Sequence, residues 1–165
     1  MQGIAGLLGE TPVFSKFDKW SLQYMAGLAQ RKEYKAGEWL FREFAPREWF
    51  GVIERGEVRI VRGPDDHHTL LAVLGRGSIL SESILLSNRN HSTGAYTREG
   101  AVVARFFREA MEKARKERPD LHYRILACIA QAAAERLRYA ADCLTPENEE
   151  VAFGRPQSTW SIVNQ

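Results

Sequence analysis

The sequence predicts a mainly β fold with flanking helices: a jelly roll over residues 30–107, followed by a short helix and a long C-terminal one. Three observations predict it. From Gln30 to Phe107 the chain falls into runs of about five to seven residues rich in Val, Ile, Tyr, Phe and Trp, the length and composition of strands. Gly or Pro stands at nearly every place where one run gives way to the next. Beyond Phe107 the apolar spacing changes to that of a helix.

Taken in order, residues 1–29 read as short helices. Asp18 is suited to cap a helix over Lys19–Ala29, and Phe17 is spaced to pack on Leu22 as a hydrophobic staple. The expected strands are Arg31–Tyr34, Trp39–Phe41, Trp49–Glu54, Glu57–Val61, Thr69–Leu74, Gly94–Thr97 and Ala101–Phe107. Gly37, Gly56, Gly75, Gly77 and Gly100 mark reversals, where positive φ is in demand. Gly63-Pro64-Asp65-Asp66 marks a hairpin tip, with Val58 and Ile60 on one face of the strand before it and Arg59 on the other. His67 and His68 then read as the solvated end of that hairpin. Arg108–Lys116 is a short charged helix with Glu112 and Lys116 spaced for an i,i+4 pair. Pro119 sits in the first turn of the next helix, which can continue to Leu144. Residues 146–165, opening on Pro146 and rich in Glu, Pro, Gly and Ser, read as a tail.

The long helix carries two apolar stripes, where a helix lying on one core needs one. Leu126, Ala130, Ala133, Leu137, Ala141 and Leu144 form the first; Leu121, Ile125, Cys128, Ile129 and Ala132 form the second. One stripe is expected on the roll and the other on a second copy, giving a homodimer through residues 120–144, with the alanines permitting close approach. The alternative is a monomer whose helix wraps its own sheet.

Composition narrows the function classes. The chain has 165 residues, enough for one domain with a helical appendage, and is 44% apolar, so it can fill a core. A net charge of +2 gives no broad field for binding a phosphate backbone. Cys128 and Cys143, about 22 Å apart if both lie on one helix, cannot form a disulfide within the chain, which suits a reducing, cytoplasmic setting. No run reaches the roughly 20 apolar residues of a membrane span, and the N-terminus lacks the features of a signal peptide. Four histidines at 67, 68, 91 and 122 do not make the His-x-His, Glu, distant His pattern of a cupin metal site, nor a convincing axial pair for haem together with Cys128 or Cys143. No triad, phosphate loop or paired carboxylates point to catalysis. The expectation is a protein that is not an enzyme and requires no cofactor.

Local motifs carry a more specific resemblance. Tyr34-Lys35-Ala36-Gly37-Glu38-Trp39-Leu40-Phe41, then Trp49 to Ile60 with Gly56-Glu57-Val58 inside it, then Leu71 to Leu80 with Gly75-Arg76-Gly77, resemble in order the segments of a cyclic-nucleotide-binding domain of the catabolite activator type. The resemblance spans roughly residues 10–145. It implies a double-stranded β-helix and a phosphate-binding cassette at 80–94, between two strands. In that family the cassette opens Phe-Gly-Glu and reaches an Arg about nine residues after the Glu; backbone N–H groups and the Arg hold the cyclic phosphate and the Glu takes the ribose 2′-hydroxyl. Carried over, it makes Glu82 the ribose group and puts Ser81, Ser83, Ile84, Arg89, His91, Ser92 and Thr93 around a ligand such as cAMP or cGMP. Two positions depart from the pattern: Ser81 stands for the Gly and His91 for the Arg. A neutral imidazole offers one donor where a guanidinium offers a permanent charge and a fork, and the difference of a charged hydrogen bond is about 1.5–3 kcal/mol. Arg89, two residues upstream, is one substitute; a phosphate that raises the pKa of His91 is another. At the base end, alignment by the Arg-Leu segment puts Ala140 and Ala141 where the activators have hydroxyl residues, and alanine cannot hydrogen-bond a base.

The family's transcription factors continue into a helix-turn-helix domain. The residues after the long helix are too few for one, so DNA binding by this chain alone is not expected. Two readings stay open. One is a sensor that binds a cyclic nucleotide or related phosphate and signals through its C-terminal helix, to a second copy or a protein partner. The other is a degenerate relative with an empty pocket, serving as a dimeric interaction scaffold.

Overall fold

The computed structural model describes residues 3–64 and 67–143. Helices α1 (Ile4–Glu10) and α2 (Lys19–Leu28) precede eight strands: β1 (Gln30–Tyr34), β2 (Trp39–Phe41), β3 (Trp49–Gly56), β4 (Val58–Arg62), β5 (Thr69–Leu74), β6 (Ile79–Leu80), β7 (Gly94–Tyr96) and β8 (Ala101–Phe107). Helices α3 (Arg108–Glu117) and α4 (Pro119–Cys143) follow. The strands form two four-stranded antiparallel sheets, ordered β1-β8-β3-β6 and β2-β7-β4-β5. This is the β-roll with flanking helices that the strand texture predicts.

Two cores explain why β3 and β8 read as continuous apolar runs rather than alternating ones. Phe50 and Val52 on β3, with Ala104 and Phe106 on β8, face a cluster that also holds Leu7, Leu8, Phe14, Met25, Leu121, Ile125 and Ile129 from the helices. Their neighbours in sequence, Trp49 and Ile53 with Ala101 and Val103, face the interior of the roll against Leu40, Val58, Ile60, Leu74, Leu80 and Ala95. Strand side chains alternate in direction, so a strand with a core on each side needs apolar residues throughout. Gly51 lies where these strands are most crowded: a Cβ there would meet Val103 Cγ1 at 2.6 Å. At Gly56 a Cβ would stand 2.2 Å from the Gly100 carbonyl oxygen, and φ is +84°, so this hairpin requires glycine.

Asp18 caps α2, accepting from the Ser21 N–H at 2.9 Å, and Phe17 and Leu22 both join the helix-side core. On α3 the pairing differs from the spacing rule: Glu112 pairs with Arg115 and Lys113 with Glu117, in place of Glu112 with Lys116. His68 is no solvated tip residue, since its ring lies edge-on to Trp39 and Tyr96. Gly75 is a reversal without positive φ.

Helix α4 separates its stripes. Leu121, Ile125 and Ile129 are fully buried on the helix-side core and Cys128 packs beside them. Ala130, Leu137 and Ala141 of the other stripe are exposed, Leu137 at 73%. Leu144, the expected tail at 146–165 and Asp65-Asp66 at the hairpin tip lie outside the described residues.

Candidate functional site

The cassette begins where β6 lies on β3, pairing Leu80 with Gly51 and Ile79 with Val52. The chain then reverses at Ser81, held at φ 58° and ψ 24°, the left-handed conformation that favours glycine. The family pattern has Gly at this position, and the backbone keeps the glycine geometry although the residue is Ser. Its hydroxyl oxygen is buried with no hydrogen-bond partner. A short 3-10 turn, Glu82–Leu85, follows, pinned by Ile84, whose side chain is 2% exposed within the helix-side core. Ile84 therefore contributes an anchor, with only its main chain near the cassette surface.

Glu82 faces α4. Arg136 donates from Nη1 to its Oε1, and both side chains are largely buried, 16% exposed for Glu82 and 23% for Arg136. Burial lowers the Arg136 pKa to about 10, which leaves the guanidinium charged at neutral pH.

The far end of the cassette is built around His91. Its ring is 5% exposed and stacks on Phe41, centroids 3.8 Å apart and planes 8° from parallel. Its main chain bonds to the loop between β2 and β3 in both directions: the Phe44 N–H donates to the His91 carbonyl at 2.8 Å, and the His91 N–H donates to Ala45 at 3.0 Å. Burial, and then the charge of Arg47, lower its pKa to about 4, so the imidazole is neutral at pH 7.

Arg47 comes from that same loop and joins the two ends of the cassette. Its Nη1 donates to Ser83 Oγ at 2.8 Å and its Nη2 to the Asn90 carbonyl at 3.0 Å. Glu82 and His91 thus belong to one locus, bridged through their sequence neighbours. The remaining sequence candidates lie at its edge. Arg89 is exposed, with its backbone N–H on Ser87 Oγ; Ser92 is exposed, with its carbonyl accepting from Arg62; Thr93 is half-buried ahead of β7.

Sequence reasoning missed Arg47 and Arg136. Arg47 lies 36 residues before Ser83, with no spacing signal to connect them. Arg136 sits among other charged residues of α4, and only the fold selects it.

This arrangement, a short turn between two strands of a β-roll with a carboxylate at its start and a long helix against it, is that of the cyclic nucleotide-binding fold. Residues 31–118 match the cyclic nucleotide-binding domain family, and the chain belongs to that family. Among solved structures it is similar to a cyclic nucleotide-binding domain from Methylobacillus flagellatus KT, with 20% identity and a TM-score of 0.75 over 91% of this chain and 85% of that one. It is similar to the catabolite activator protein of Thermus thermophilus, with 25% identity and a TM-score of 0.70 over 81% of this chain and 61% of that one. The sensor domain of the transcriptional regulator DNR from Pseudomonas aeruginosa matches with 20% identity and a TM-score of 0.63, over 89% and 94% of the two chains. No curated protein sequence matches. Among the described residues, no helix is long and apolar enough to cross a membrane.

Proposed function

We propose that this domain is a non-catalytic sensor that takes a cyclic nucleotide, or a related phosphate ligand, at residues 80–94 and reports it through α4. The observation that carries the reading is the ion pair between Glu82 and Arg136. The carboxylate that would receive a ribose hydroxyl is engaged by the long helix, so a ligand and the helix compete for one group. A ligand that takes Glu82 frees Arg136 and shifts the position of α4, a change bounded by the ligand's differential affinity for the two arrangements.

The output is a second copy of the chain. The exposed stripe Ala130, Leu137 and Ala141 gives α4 an apolar face that no described residue of the chain covers. Covering a Leu side chain contributes about 1.5–3 kcal/mol. The domain is expected to sediment as a dimer at micromolar concentration, and Leu137→Arg to weaken that dimer by roughly tenfold or more. A monomeric wild-type protein would redirect the output to a different partner protein.

A second reading is favoured by His91, which is neutral, buried and stacked on Phe41 where the family pattern has a charged residue. In it the pocket binds nothing and the domain is a dimeric scaffold. Calorimetry with cAMP, cGMP and cyclic dinucleotides, repeated on Glu82→Ala, decides between the two. Binding that weakens in Glu82→Ala supports the sensor; no binding below about 1 mM, an affinity of only ~4 kcal/mol, supports the scaffold.

A further inference from the structure

Among the described residues, Arg47 is a cation without a counter-ion. No carboxylate among them forms an ion pair with it, and the carboxylates near it in sequence or across the cassette are otherwise placed. Glu82 is held by Arg136, Glu43 accepts from the Gly63 N–H and pairs with Arg62, and Glu48 is exposed. Of the five N–H groups of a guanidinium, Arg47 uses two, on Ser83 Oγ and the Asn90 carbonyl. Its Nε is buried with no partner. A buried donor without a partner is costly, and a charge withdrawn from water is ordinarily matched by an opposite one.

The surroundings are organised around this group. The loop that carries Arg47 is fixed to His91 by the two main-chain bonds of Phe44 and Ala45, and Phe44 is held at φ 66°, a rare conformation for a bulky residue. Ser83 Oγ accepts from Arg47, which leaves the hydroxyl hydrogen free to donate elsewhere. Ser81 Oγ, two residues away, is also buried without a partner. A fork of parallel N–H groups matches two oxygens of an oxyanion, and a hydroxyl from a second direction suits a third, the demand of a tetrahedral phosphate rather than a planar carboxylate.

We propose that Arg47, reaching in from the loop between β2 and β3, is the positive ligand of a phosphate group held against Ser83, in place of the arginine whose position His91 occupies. The proposal rests on the reading that the cassette takes a phosphate ligand, and adds which residue supplies the charge. It assigns the anion to a segment outside the cassette, so the site comprises two chain segments locked together at His91. The phosphate of a cyclic nucleotide and free inorganic phosphate share this chemistry, and Glu82 distinguishes them, because only the nucleotide carries a ribose.

The test is calorimetric titration of the full chain with cAMP, cGMP and inorganic phosphate, on wild type, Arg47→Gln, Arg47→Lys, Arg89→Ala and Glu82→Ala. Thermal melting confirms that each variant is folded. Arg47→Gln is expected to weaken every phosphate ligand that the wild type binds, by about tenfold or more, and Arg47→Lys to recover part of the loss by restoring charge without the fork. Glu82→Ala weakens a cyclic nucleotide and leaves inorganic phosphate unchanged. Wild-type binding that survives Arg47→Gln but falls in Arg89→Ala overturns the role of Arg47 and leaves the sensor reading standing. Failure of the wild type to bind any of the three at 10 mM overturns both. If Arg47→Gln does not fold, the ring protons of His91 in wild-type protein serve instead: adding phosphate must move their NMR titration toward higher pH, and an unmoved titration rejects the site.

Discussion

The two ends of the cassette treat charge in opposite ways. At the Glu82 end a carboxylate and a guanidinium meet across two elements, and each answers the other. At the other end a guanidinium bonds to the carbonyl next to His91 with no carboxylate paired to it among the described residues, and burial together with that charge keeps the imidazole neutral. A closed pair fixes structure, because ligand entry must break it. An open cation is suited to an anion, because no carboxylate among the described residues pairs with it. In the proposed reading, one short turn therefore joins a latch to α4 and a receptor for negative charge.

The largest expected effect comes from breaking the closed end. Glu82→Ala leaves Arg136 in a largely buried place without its carboxylate, and is expected to cost about 2–3 kcal/mol in urea unfolding, less than a fully buried pair costs because both groups keep some solvent contact. The double variant Glu82→Ala with Arg136→Ala recovers part of that loss, since it leaves no orphan charge. Arg47→Gln, the corresponding change at the open end, loses hydrogen bonds to Ser83 and Asn90 but strands no opposite charge among the described residues, and is expected to cost less than Glu82→Ala. Equal losses at both ends would erase the distinction.

Lowering the pH sharpens the comparison from the other side. His91 has its folded pKa at about 4, below its ordinary value of 6.5, so between these values the unfolded chain binds more protons than the folded one. Stability falls as pH falls through this window. From pH 7 to pH 5 the loss from His91 is about 2 kcal/mol, from ~1.4 kcal/mol per pH unit over the part of the window below 6.5. Carboxylates with lowered pKa, such as Glu38 and Glu54, lose their contribution below this range. His91→Phe keeps an aromatic ring on Phe41 and is expected to flatten the pH profile between 7 and 5. An unchanged profile would show that His91 is not the group held neutral.

These contrasts also mark what was legible in the sequence. The roll was legible because strand length, glycine turns and the Pro119 helix start are local signals, and Asp18, Gly56 and Val58 stand in the roles their neighbours assign them. The two stripes of α4 were legible as periodicity, and only packing decides that Leu121, Ile125 and Ile129 are the buried ones. Ser81 was legible as a departure from a glycine position, and its left-handed φ explains why that position favours glycine. The charges of the site were not legible. Arg47 and Arg136 arrive from segments 36 and 54 residues away from their partners, and such pairs follow from the closure of the roll rather than from spacing. His91 was legible as a substitution, whereas its stacking on Phe41 accompanies the main-chain bonds that join it to the loop after β2.

The smallest effect discriminates between two arginines. Arg89 lies within the cassette, two residues from His91, and on spacing alone it is the natural replacement for a missing arginine. Its residue is exposed, its backbone N–H is spent on Ser87 Oγ, and among the described residues its side chain forms no ion pair. A flexible exposed cation attracts an anion weakly in water, because the high dielectric and salt screen it and ordering its long side chain costs entropy. Arg89→Ala is therefore expected to change stability by less than about 0.5 kcal/mol and phosphate affinity by less than about threefold, an effect that raising the salt concentration abolishes. Arg47 is fixed by two hydrogen bonds before any ligand arrives, so its contribution persists at high salt. Titrations of Arg89→Ala and Arg47→Gln with the same phosphate ligand at low and high ionic strength separate a positioned charge from one that is merely near.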